Sequence, residues 1–92
     1  MKIVLTGPAV DDLANQLAYI AERNSDAADR LEARVFSIID RLAESEFEGP
    51  EEKLRSGEIV RSWPVPPLRV YYQRTADTVV VLRIYHQARR PL

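Results

Sequence analysis

The chain has no cysteine among its 92 residues. That excludes disulfides, thiol catalysis and cysteine-ligated zinc or iron–sulfur sites, and it fits a reducing compartment. One histidine, His86, rules out a histidine-rich metal centre. The three glycines stand far apart, so no glycine-rich phosphate loop is present. Long apolar runs are missing too. The opening MKIVLTGPAV is interrupted by Gly7 and Pro8, and is too short for a signal peptide or a membrane span. The expectation is a cytoplasmic protein with no cofactor and no membrane association.

What remains suits one small globular domain over residues 1–92, with 46% apolar residues. A domain this size buries a modest core, so a partner is unsurprising. The net charge of −1 conceals an asymmetry. Through Glu52 there are 5 Lys/Arg against 12 Asp/Glu, and from Lys53 onward 8 against 2. The basic part is the part that reads as sheet. It could face a nucleic acid or an acidic protein, or the two parts could attract each other within the fold.

Periodicity divides the chain. Lys2 to Thr6 reads as a strand. Val10, Leu13, Leu17 and Ile20 recur at helical spacing and predict a helix from Pro8 to Arg23. Ala28, Leu31, Val35, Ile38 and Leu42 predict a second, with Ser25 as its cap, running to Ser45. The connection is short, so the helices run antiparallel. Phe47 to Gly57 reads as loop and Glu58 to Trp63 as a strand. Pro64, Pro66 and Pro67 mark a turn. Leu68 to Arg74 and Val79 to His86 are strands joined at TADT. The predicted fold is α+β: an N-terminal strand and a helical hairpin packed on a mainly antiparallel four-stranded sheet. Strict alternation places Val80, Leu82, Ile84 and His86 on one face of the last strand. Leu13, Leu17, Ile20, Leu31, Val35, Ile38, Val70, Tyr72, Val80, Leu82 and Ile84 make the expected core.

The same alternation sets Arg69 with Tyr71 and Arg83 with Tyr85, and Arg61 is a candidate to join them. Arg89 and Arg90 follow the last strand. Arginine beside exposed aromatics suits phosphate gripping and base stacking, and equally the clasping of an acidic protein segment. RNA cleavage further needs proton transfer. Arginine supplies that poorly, which leaves His86, Glu58 and Tyr85. His86 alternates with core residues while Arg69 falls on the open face, so the expectation leans against an RNA-cleaving enzyme.

The order strand–helix–helix–three strands, with LRVYYQ (Leu68 to Gln73), VVVLRIYH (Val79 to His86) and ARR (Ala88 to Arg90), resembles the RelE/ParE superfamily of bacterial toxins. The resemblance implies a toxin of a type II toxin–antitoxin system, bound by a cognate antitoxin in a hetero-oligomer. ParE-like members poison DNA gyrase, whereas RelE-like members cut messenger RNA on the ribosome. Arg69 and Arg89 match the RelE-like arginine positions. The second-strand lysines of that pattern are replaced by Val60, Arg61 and Ser62, and the sequence stops at Leu92 before the C-terminal tyrosine. Glu58, Arg69, Tyr85 and His86 imitate a variant nuclease site only in part. The His86-Gln87-Ala88-Arg89 ending is similar to ParE-like chains. The resemblance therefore implies a ParE-like gyrase inhibitor, with ribosome-dependent mRNA cleavage as the alternative.

Overall fold

The computed structural model describes residues 1–88. Elements follow in the order β1 (Lys2–Leu5), α1 (Gly7–Ala21), α2 (Ser25–Ala43), β2 (Glu51–Lys53), β3 (Ile59–Val65), β4 (Leu68–Arg74) and β5 (Thr78–His86). The sheet has five strands in the order β1-β5-β4-β3-β2. Only β1 runs parallel to its neighbour; the other three pairings are antiparallel. The α+β class and the helical hairpin are as expected, but the strand count is five, not four. β2 lies inside the segment read as loop. Its residues, Glu-Glu-Lys, carry no apolar alternation, and it forms by pairing with Ile59 to Arg61.

Local chemistry starts each helix. The Thr6 hydroxyl accepts from Ala9 N–H at 3.2 Å, and Pro8 sits in the first turn, where its missing donor costs nothing. Asn24, one residue before the expected Ser25, caps α2 by accepting from Ala27 N–H at 3.0 Å. Both helices cover one face of the sheet. Leu13, Leu31, Val35 and Ile39 pack there with Val65, Leu68, Val70, Val81 and Ile84. Burying that many aliphatic side chains, at about 1.5–3 kcal/mol each, is the main source of stability.

The core assignments change in three places. Leu17 and Ile20, expected in the core, are only partly buried against it. Ile39 is buried where Ile38 was expected, and Ile38 is only partly covered. In β5, Val79 and Val81 are fully buried while Val80 and Leu82 are half-exposed. The reason is a β-bulge. Tyr72 pairs with Val81 but Tyr71 pairs with Arg83, so Leu82 has no partner and the alternation inverts across it. Ile84 and His86, beyond the bulge, keep the expected side. Pro64 was expected in a turn yet lies within β3, opposite Arg69. Ser62 turns its N–H outward to the Pro50 carbonyl, so Pro64, two residues on, would direct its absent N–H the same way, beyond the reach of β2. Among the described residues no helix is long and apolar enough to cross a membrane.

Candidate functional site

The helix-free face of the sheet gathers most of the expected residues. Arg69 stands opposite Tyr85, and Tyr71 opposite Arg83. The two tyrosine rings are 5.6 Å apart, and the Arg83 guanidinium lies 4.8 Å from the Tyr85 ring centre. The expectation of exposed aromatic platforms fails: Tyr71 and Tyr85 are 5% and 7% exposed, clustered with Val60, Leu54 and Leu82. Their faces are spent on packing inside the chain.

The arginines are engaged as well. Arg69 Nε donates to the Ser62 hydroxyl at 2.8 Å and lies 3.7 Å from the Glu52 carboxylate. Ser62, fully buried, donates in turn to Glu52. Arg83 makes a two-pronged contact with Asp12 of α1, Nε and Nη2 donating at 2.8 and 2.9 Å. Asp12 also accepts from Ile84 N–H at 3.0 Å. This hydrogen bonding to Asp12 holds the Arg83 guanidinium above its ordinary range. β1 ends at Leu5, and beyond it Thr6 and Asp12 satisfy the outer edge of β5. The bidentate pair is therefore also an edge seal.

Arg61 does not join this group. It pairs with Tyr72, which faces the helices, so it lies on the opposite side of the sheet. It donates to the Gly49 carbonyl at 2.8 Å and to Glu51 at 3.3 Å. Sequence reasoning missed Arg74, the best-anchored cation on that side. Its side chain is 16% exposed, and it donates to Glu48 from Nε and Nη2 and to the Leu42 carbonyl at 2.6 Å. Glu48 also accepts from the fully buried Tyr72 hydroxyl at 3.0 Å. The Arg74 hydrogen bond holds the Glu48 carboxyl below its ordinary value, and burial raises the Tyr72 phenol. Arg74 shares parity with Leu68, Val70 and Tyr72, and a cation continuing a core-facing row calls for a carboxylate. That signal was present in the sequence. So the acidic and basic halves of the chain meet inside the fold, through residues 48–52 and Asp12.

A family profile for the ParE toxin of the type II toxin–antitoxin system parDE matches residues 3–91. The chain belongs to the ParE toxin family. Two solved structures share its fold. One, from the chromosomal ParDE toxin–antitoxin system of P. aeruginosa, superposes with a TM-score of 0.75 at 15% identity, over 94% of this chain and 95% of that one. The other, a copper-bound mutant toxin from Helicobacter pylori, gives 0.68 at 17% identity, over 96% of each chain. None of the curated proteins matches in sequence.

In this ParE-family toxin the remaining candidates lie apart. His86 is exposed at the end of β5 paired with Leu68, and its Nδ1 accepts from Ala88 N–H at 3.2 Å. Glu58 is exposed in the β2–β3 turn, before the other end of the sheet. β3, seven residues long, separates those ends. At about 3.4 Å per residue the gap is roughly 20 Å. Arg89 and Arg90 lie outside the described residues. Among the described residues no cluster of three His, Asp or Glu could hold a metal.

Proposed function

We propose that this toxin arrests growth by binding DNA gyrase through protein–protein contact in the cytoplasm, and that a cognate antitoxin neutralises it in a hetero-oligomeric complex. One observation carries the choice between gyrase and messenger RNA. His86 and Glu58, two of the side chains able to move a proton in RNA cleavage, stand at opposite ends of the sheet. General acid–base chemistry on one phosphate needs both groups within hydrogen-bond reach of it. Arg69, which would grip that phosphate, is hydrogen-bonded to Ser62 and lies beside Glu52. Arg61, Arg69, Arg83, Arg89 and Arg90 remain the candidate contact residues, with the paired arginines acting as organised edges rather than as free cations, while the buried Tyr71 and Tyr85 support that face from within.

The experiment is induction of the chain alone in bacteria. Filamentation with DNA damage supports the gyrase reading. Rapid translation arrest with cleavage at codon edges, lost in His86→Ala, would replace it with the ribosome-dependent nuclease. The antitoxin part is tested by co-expressing the product of the adjacent reading frame, which should rescue growth and co-elute as one complex.

A further inference from the structure

The edges of the sheet treat their unpaired backbone differently. β2 is short and charged, Glu-Glu-Lys, and so makes a blunted edge. Beyond the end of β1, the edge of β5 is closed by Thr6 and Asp12. The outer edge of β1 has neither device. Lys2 N–H donates to the Asp77 carbonyl at 2.8 Å, and Thr6 N–H to the Val81 carbonyl at 3.0 Å. Even-numbered residues of β1 therefore turn their backbone groups toward β5, and Ile3 and Leu5 turn theirs outward. Among the described residues no hydrogen bond meets those outward groups. A row of free N–H and C=O groups on an extended strand selects another strand as its partner.

The side chains select which strand. Ile3 and Leu5 pack against the core beneath the helices, so Val4 between them lies on the helix-free face. Val4 is 36% exposed and stands beside the half-exposed Val80 of β5. An antiparallel pair alternates hydrogen-bonded and non-hydrogen-bonded positions. When Ile3 faces Leu5 of a second copy, the two exchange both backbone bonds. The two-fold axis then makes Leu5 face Ile3 of that copy in the same way, and all the outward groups are satisfied. Val4 meets its own copy at the axis, in the non-hydrogen-bonded position, where Cα atoms approach to about 4.5 Å. Val80 and Val4 of each copy then form one apolar row across the helix-free face. Lys2 falls opposite Thr6 of the second copy, so no like charges oppose each other. In this register β1 is complementary to itself.

We infer that β1 is a self-association edge. It pairs antiparallel with β1 of a second copy about a two-fold axis at Val4, and joins two five-stranded sheets into one. The contact is small. A four-residue strand and its valine row bury far less than the roughly 1,200–2,000 Å² of a stable interface. The dimer is therefore weak, forms at high concentration and shields the one unguarded edge of the free chain. It does not depend on which target the toxin poisons.

Sedimentation equilibrium and ¹⁵N-resolved NMR of the purified chain, between roughly 10 µM and 1 mM, read the association. The expected result is a monomer at the low end and growing dimer at the high end. Amide shifts should centre on Ile3, Val4 and Leu5 and spare Glu51 to Lys53. A mixture of ¹³C-labelled and unlabelled chains should show a contact between Val4 methyls of different copies. Val4→Lys sets two ammonium groups against each other at the axis and should weaken association by about tenfold or more. Val4→Thr keeps the size and strand preference and should weaken it by only about two- to threefold. Amide dispersion shows whether each variant folds. If Val4→Lys does not, the threonine variant and the methyl contact still decide. A chain that stays monomeric at the high concentration overturns the proposal, as do undiminished association in folded Val4→Lys and shifts centred on another surface. A monomer whose Ile3 and Leu5 amides become protected only when the antitoxin is added would give the edge to a strand of that partner, and would overturn it too.

Discussion

Replacing Tyr72 by phenylalanine should destabilise the protein far more than the loss of one oxygen suggests. The ring is fully buried against Leu42 and Val79, and phenylalanine keeps that packing. The hydroxyl does two jobs. It accepts from Gly49 N–H at 2.8 Å and donates to Glu48 at 3.0 Å. Removing it orphans a buried amide, at about 1–3 kcal/mol. The lost bond to Glu48 adds about 0.5–1 kcal/mol, discounted because that carboxylate is 41% exposed. A total of about 1.5–4 kcal/mol corresponds to a fall in Tm of roughly 6–32 °C for a domain of this size. Urea and thermal unfolding followed by circular dichroism measure it, with Glu48→Gln and the double variant completing a cycle. Coupling above about 0.5 kcal/mol is expected for groups in direct contact. A loss under about 0.5 kcal/mol with additive single variants would refute the idea that this polar anchor pins residues 48–52 to the sheet, and with it the internal neutralisation of Arg61 and Arg69.

Other outcomes follow from the same contacts. In Gly49→Ala the new Cβ would stand 1.9 Å from the Ser62 carbonyl oxygen, and backbone cannot step aside. A loss of about 1–3 kcal/mol is expected, with faster exchange of the Ser62 amide. The Glu48 carboxyl is held below its ordinary value of 4.5, chiefly by the Arg74 hydrogen bond, so its contribution is complete above that pH and disappears as pH falls through the lowered value. Urea midpoints against pH should therefore show an acid limb that Glu48→Gln flattens. Asp12→Asn removes the charge opposing Arg83 and weakens the seal on Ile84 N–H; exchange of the Ile84 amide should rise while that of Val70, inside the sheet, stays slow. His86→Ala should leave growth arrest unchanged, scored by colony counts after induction.

Much of the fold was legible because its signals are local. Helical spacing located α1 and α2 within two residues or so at each end. Parity alone brought Arg69, Tyr71, Arg83 and Tyr85 to one face. Most of the misses in the sheet share a physical cause: they depend on a neighbouring strand. Val79-Val80-Val81-Leu82 reads as uniform strand, and only pairing with β4 shows that Leu82 is the extra residue. Glu51–Lys53 has no intrinsic strand preference and becomes β2 through β3. The face that Arg61 occupies follows from the register between β3 and β4 across the turn at Pro66-Pro67, which alternation within one strand does not reveal. Ile38 and Ile39 border the same stripe of α2, so spacing does not choose between them. The site was legible as a meeting of residues, and less so as chemistry. Burial of the tyrosines and pairing of the arginines come from contacts with residues distant in sequence, such as Asp12 and Glu52.

The most direct test uses purified components: DNA gyrase, relaxed plasmid and increasing amounts of the chain, with translating ribosomes and messenger RNA assayed in parallel. The account predicts that supercoiling falls as the chain approaches the gyrase concentration, that added antitoxin restores it, and that the messenger RNA stays intact. Full supercoiling at excess chain, together with ribosome-dependent cleavage of the messenger, would contradict it.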